Sequence, residues 1–196
     1  GPNDVIARTL GPEMAAALGK PVVIENRPGA GGNTATGAVA RAVADGHTVL
    51  VPGIPYAVNP ALFDKVPYAF TDFRAVAVVA RGALVLVAHP SLGVKSVAEL
   101  LAMARAQPGK LAYASGGIGT SPHLAGELFK RMAGVDLLHV PYKGTADFMA
   151  DLLAGRAPVA FVSPLAIRAH VESGKMIGLG VTGAGPLRGM ESLAPV

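Results

Sequence analysis

Cysteine is absent from the 196 residues, so no disulfide, thiolate nucleophile or Cys-based metal site can form. That absence fits a periplasmic protein folding without oxidation and a cytosolic one equally well. Tryptophan is absent too, and aromatics make up 5% of the chain, which leaves few platforms for stacking nucleic-acid bases. The net charge is +4, but the 17 Lys and Arg residues are scattered without a run. This gives mild attraction for anions and no nucleic-acid footprint. The longest apolar stretch, residues 75–88, is broken by Arg81 and Gly82 and is too short to span a bilayer, so no direct membrane insertion is expected.

Catalytic patterns are missing as well. There is no Gly-x-Ser-x-Gly elbow for a serine nucleophile. The five histidines, His47, His89, His123, His139 and His170, share no metal-ligand spacing. No acidic pair for proton transfer stands out. The sequence therefore argues against an enzyme, and no metal or cofactor is expected.

What is present is hydrophobic: 51% of residues, enough for a sizeable core and against disorder. The length suits one large domain or two small ones. The chain opens at Gly1-Pro2-Asn3-Asp4, already at a helix start, and ends at Pro195-Val196. It reads as trimmed at both ends relative to its gene product, so the lack of a signal peptide decides nothing.

One stretch organises the rest, residues 113–129. A short apolar strand runs into a loop with Gly116, Gly117 and Gly119, and Ser121-Pro122 then opens a helix. Ser121 suits an N-cap and Pro122 the first helical position. Leu124, Leu128 and Met132 repeat at helical spacing. Free amides and the positive end of the helix dipole would meet at one spot, which suits an anion. The hydroxyls of Ser115, Thr120 and Ser121 could add donors. Such glycine turns are also routine in α/β proteins, and most hold no ligand. The spacing completes neither the dinucleotide fingerprint nor the nucleotide P-loop.

Along the chain, Asn3 or Asp4 can cap a helix to about residue 18, with Pro12 expected to kink or split it. Strands are expected at 22–25 and 47–51, around a glycine-rich loop (26–33) and a helix over 34–44. Asn59-Pro60 starts a short turn or helix. Two apolar strands, 73–80 and 83–89, follow. Ser96 and Glu99 form a capping box for a helix to about residue 105. Further strands are expected at 137–140, 159–162 and 176–181, with helices over 146–153 and 164–172. This alternation predicts parallel sheets flanked by helices, with binding loops at the carboxyl ends of the strands.

The runs Glu25-Asn26-Arg27-Pro28-Gly29-Ala30-Gly31-Gly32, Asp45-Gly46-His47-Thr48, Ser115 to Leu124 and Val140-Pro141-Tyr142-Lys143-Gly144 together resemble the Bug-type (TctC-like) extracytoplasmic solute receptors of tripartite tricarboxylate transporters. The resemblance covers nearly the whole chain. It implies an α/β, two-lobed periplasmic-binding-protein (Venus flytrap) fold, each lobe a mainly parallel sheet flanked by helices. It places lobe 1 at 1–89, with 179–196 returning to it, and lobe 2 at 90–178. It also implies a periplasmic location, no catalysis, a small carboxylate ligand (di- or tricarboxylate, acidic amino acid or aromatic acid), delivery to membrane permease subunits, and a monomer.

Carried over residue by residue, the resemblance puts Asn3 and Asp4 on a first-lobe loop. Ser115, Gly117, Gly119, Thr120, Ser121 and His123 fall on the second-lobe loop, with Thr145 and Ser163 at the cleft edge. Ile54-Pro55 stands where relatives often carry a hydroxyl. Each residue has a plainer role beside the ligand role. Asp4 could cap its helix, His123 could pack or face solvent, and Tyr56 could line the cleft or sit in the core. The alternative reading is a small α/β enzyme acting on a phosphorylated or carboxylated metabolite.

Overall fold

A computed structural model describes residues 2–196 and divides them at Arg81/Gly82 into two compact units, Gly1–Arg81 and Gly82–Val196. Gly1, part of the expected helix start, lies outside the described residues. The division falls before the expected His89 boundary. The segment expected to return to the first lobe, 179–196, packs within the second unit.

The first unit is helical. α1 spans Pro2–Leu18 and ends at Gly19, whose φ of +63° favours glycine. Pro12 lies inside α1 without splitting it. The hydrogen bond it forfeits is on the exposed side, where water can serve the freed carbonyl. Asn3 and Asp4 sit in the first turn of α1 and do not cap it. α2 (Asn33–Ala40) follows a turn in which Gly29, Gly31 and Gly32 all have positive φ. α3 spans Pro55–Leu62, so Asn59-Pro60 is interior and not a start. Asn59 is buried and donates to Gly31 O (3.0 Å) and to Asn33 Oδ1 (2.8 Å), tying α3 to the glycine turn.

The segments expected as strands at 22–25, 47–51 and 73–80 form no strand and belong to no ladder among the described residues. A strand needs a neighbour's backbone as well as β-branched side chains. Val23, Val49, Val76 and Val78 remain exposed.

The second unit carries a five-stranded sheet. β1 is Val85–Ala88, β2 Ala112–Ser115, β3 Leu138–Pro141, β4 Val159–Val162 and β5 Ile177–Val181. The strand order is β3-β2-β4-β1-β5. β2 runs parallel to β3 and β4, but β1 is antiparallel to both β4 and β5, so the sheet is mixed and not parallel as expected. Helices cover both faces: α4 (Val97–Ala106), α5 (Ser121–Ala133), α6 (Thr145–Leu153) and α7 (Pro164–Glu172).

The two-residue period of the strands sorts the core into two layers. Leu86, Tyr113 and Phe161 pack with Leu100 of α4 and Phe129 of α5. Val85, Ala114 and Val162 pack with Phe148 of α6 and Ile167 of α7. All four residues of β1 and of β4 are buried, which explains their continuous apolar runs. Each buried Leu or Phe contributes about 1.5–3 kcal/mol relative to exposure. On α5 the buried face is Gly126 and Phe129, while Leu128 and Met132 of the expected stripe are exposed. The reason is close approach: a Cβ on Gly126 would lie 2.3 Å from the buried ring of Tyr113.

Candidate functional site

Because β2, β3 and β4 are mutually aligned, their carboxyl ends share one sheet edge. From that edge the chain turns into α5, α6 and α7 in succession. The N-caps are Thr120, Gly144 and Ser163, and none of the three helices has a side-chain cap hydrogen bond. Each helix start leaves backbone amides without an intrahelical acceptor and adds the positive end of its dipole. The edge is thus rich in N–H donors and poor in competing side-chain acceptors.

Two loops meet there. Tyr142 N–H donates to Ser115 O (2.9 Å), joining the loop after β3 to the end of β2. A Cβ on Gly116 would touch Gly144 and the Thr145 nitrogen at 3.5–3.6 Å, and one on Gly117 would lie 3.1 Å from Tyr142 O. Gly117 also has φ +114°, so only glycine fits its turn without strain. Behind this edge Tyr142 Oη donates to Asp151 Oδ2 (2.6 Å), and Arg156 pairs with the same carboxylate. The bond from Tyr142, then Arg156, holds the Asp151 carboxyl below its ordinary range.

The glycine loop is built differently from the expectation. Thr120 is the N-cap residue and Ser121 the first helical one, which places Pro122 second and His123 third. Thr120 donates its hydroxyl to Gly117 O (2.6 Å) and so caps nothing. Gly117 N–H goes to Ser115 Oγ (3.1 Å) and Gly119 N–H to His123 Nδ1 (3.2 Å). Those amides, expected to face a ligand, shape the loop instead. The donors without a capping side chain are the amides at the start of α5, those of Ser121 and His123, with the half-buried Ser121 hydroxyl beside them.

Beneath the loop lies a cluster that sequence reasoning missed. His139 on β3 places Nε2 2.7 Å from Ser115 Oγ and stacks on Tyr113, its register partner on β2. The rings of His123 and His139 are 4.5 Å apart between centroids. Tyr113 Oη donates to Glu127 Oε1 (2.7 Å), which also pairs with Lys130 (3.1 Å). Burial pushes the Tyr113 hydroxyl far up, and the bond to Glu127 adds to it. Burial, and then neighbouring His123, push His139 down to about 4. Burial also lowers His123, with Lys130 opposing its charge and Glu127 favouring it. Both rings are therefore neutral at pH 7. The legible signal was register: residues one strand apart at the same height, one of them the tyrosine that starts the glycine stretch.

The first unit holds Asn3, Asp4 and Tyr56. Asn3 Nδ2 donates to Val51 O (3.3 Å) and its side chain is exposed. Asp4 accepts from Asn26 Nδ2 (2.6 Å) and pairs with Arg8 (2.9 Å), bonds that hold its carboxyl below the ordinary range. Tyr56 packs in an aromatic cluster with Tyr68, Phe70 and Phe73, at ring separations of 5.3–5.5 Å. Thr145 and Ser163 stand at the starts of α6 and α7, on the shared edge of the second unit. A depression of about 410 Å³ lies elsewhere, by Met103, Lys110, Ala112, Arg156 and Pro158. Ala112 and Pro158 are at the amino ends of β2 and β4, so the depression is far from the glycine loop and no helix N-terminus opens into it.

The aligned sheet edge and the helix starts gathered on it define the second unit as an α/β domain. Solved structures agree. The chain is similar to Rpa4515 of R. palustris, solved with adipate, at 35% identity and a TM-score of 0.91, covering 98% of this chain and 65% of that one. It is similar to the periplasmic binding protein BugD at 31% identity and a TM-score of 0.87, covering 100% and 66%. It is similar also to MatC from Rhodopseudomonas palustris, solved with bound malate, at 29% identity and a TM-score of 0.87, covering 100% and 67%. Residues 6–189 match the model of the tripartite tricarboxylate transporter family receptor, and the chain belongs to that family. The family is one of transport receptors and not of enzymes. The chain spans about half the length of the curated relatives it matches, 54% and 56% in two of them. No helix among the described residues is long and apolar enough to cross a membrane.

Proposed function

We propose that the chain captures a small dicarboxylate outside the cytoplasmic membrane and presents it to the permease subunits of a tripartite transporter. The observation that carries this reading is the convergence of three uncapped helix starts on one sheet edge. An anion there would accept from the amides of Ser121 and His123 and from the hydroxyls of Ser121, Thr145 and Ser163. Charge-assisted bonds of this kind are about twice as strong as neutral ones. Ser115, Gly117, Gly119 and Thr120 hold the loop in shape rather than touch the ligand. Adipate and malate, bound by structural relatives, both carry two carboxylates, which supports a linear dicarboxylate as the class. The periplasm is the compartment, as the likeness to a periplasmic binding protein supports. Capture proceeds by closure of two lobes, in a protein that acts as a single copy and changes no bond in its ligand.

Calorimetric titration of the full-length protein with adipate, malate, a monocarboxylate of equal length, a sugar and inorganic phosphate tests this. Saturable binding of a dicarboxylate, with the ligand recovered unchanged, is expected. Binding of phosphate alone, or conversion of the ligand, would contradict the reading.

A further inference from the structure

The histidine pair beneath the glycine loop has a geometry that neither capture nor packing requires. Gly119 N–H needs an acceptor, because Gly119 is buried and its φ is +81°. The acceptor is His123 Nδ1 at 3.2 Å, four residues on. That nitrogen must therefore carry no proton, and the neutral ring holds its proton on Nε2. The ring is kept in place by His139, 4.5 Å away, itself stacked on Tyr113 at 4.9 Å and bonded to Ser115 Oγ at 2.7 Å. Ser115 Oγ in turn accepts Gly117 N–H. Both loop glycines with positive φ thus hang on imidazole nitrogens, one directly and one through a serine.

We propose that His123 is a positioning residue for the glycine loop, its ring seated on His139, and that a proton on its Nδ1 releases Gly119 and opens the turn at the start of α5. The consequence for an anion bound at that start rests on the proposed function; the coupling of ring to loop does not. The two histidines are not equivalent. A proton on His139 is tolerated, since Ser115 Oγ can accept from Nε2 and turn its own hydrogen toward Gly117 O at 3.3 Å. A proton on His123 Nδ1 leaves two donors facing each other.

The charged and titratable groups around the pair are few. Glu127 and Lys130 approach from α5, and Tyr113, whose hydroxyl is bonded to Glu127, approaches from β2. Burial opposes a proton on either ring, as does Lys130, and His123 opposes one on His139, whereas Glu127 favours a proton on both. Both rings are thus harder to protonate than a free imidazole, and release of Gly119 belongs to the acid side of neutrality.

The test uses the full-length protein and two readouts. The first is nuclear magnetic resonance of the histidine rings and of the Gly117 and Gly119 amides across pH 3 to 8, without ligand. In the unaltered protein the Gly119 amide is expected to move with the midpoint of the His123 ring. In His123→Asn, whose side-chain oxygen can stand where Nδ1 stands, the Gly119 signal keeps its neutral position and ignores pH. In His123→Leu it takes the acid position at every pH. The second readout is adipate affinity at pH 7, where His123→Leu is expected to bind about tenfold more weakly, the equivalent of one lost hydrogen bond. A Gly119 amide indifferent to the His123 ring would overturn the proposal, as would His123→Leu binding adipate as well as the unaltered protein. If Gly119 follows the ring but adipate binds to no form, the receptor reading fails and the positioning role stands. Should His123→Leu not fold, the unaltered protein and His123→Asn decide.

Discussion

His139 shows how a single residue ties stability to pH. Its folded-state pKa lies at about 4, below an ordinary value of 6.5. Between those values the unfolded chain binds a proton that the folded chain refuses, so stability falls as pH falls from about 6.5 to 4 and then levels. The ring is half-buried, so the loss is of order 1–2 kcal/mol after solvent screening. Denaturant titration at pH 7 and pH 4.5 should show it, and His139→Gln should remove the part that belongs to this ring. Gly126 makes a second prediction at this scale. Gly126→Ala drives a methyl group into the Tyr113 ring, which is fully buried and cannot swing away. A loss of about 1–3 kcal/mol is expected in the same assay. Asn59 makes a third. Asn59→Ala strips the glycine turn of two bonds, and a cost of about 1–3 kcal/mol to the first unit is expected, with faster amide exchange at 31–33.

Elements were legible where local chemistry decides them. The Ser96–Glu99 signal marks the start of α4, and Ser96 Oγ does accept from Glu99 N–H at 3.2 Å. Pro164–Glu172 forms α7 where its pattern placed it, and Gly19 ends α1. What local chemistry could not supply was pairing. The direction of β1 depends on β4 and β5, far away in sequence, and nothing in Val85–Ala88 encodes it. Likewise Val23, Val49 and Val76 have strand chemistry without a ladder. At the site, the glycine loop and helix start were readable from Ser115 to His123. The internal use of the Gly117 and Gly119 amides was not: their acceptors, Ser115 Oγ and His123 Nδ1, are close in sequence, but His139, which bonds the one and packs on the other, joins them only through sheet register. α5 itself carries a prediction of opposed signs. Ser121→Asp puts a carboxylate on the first helical residue, where the dipole favours it by about 0.3–1 kcal/mol. The same charge repels an incoming dicarboxylate, so stability should hold or rise while adipate affinity drops by at least about tenfold. A fall in both would mean that Ser121 serves the fold and not the anion.

The whole molecule joins two units of different construction. The second has a complete sheet with helices on both faces and a core in two layers. The first is helical, with buried Asn59 and one aromatic cluster as its main ties. On this scale the proposed site is the edge of the second unit where α5, α6 and α7 begin. The most direct measurement is a crystal structure of the full-length protein with adipate. One carboxylate is expected within hydrogen-bond distance of the Ser121 and His123 amides, with the Gly119 N–H still on His123. A dicarboxylate seated away from the starts of α5, α6 and α7 would contradict the site proposed here.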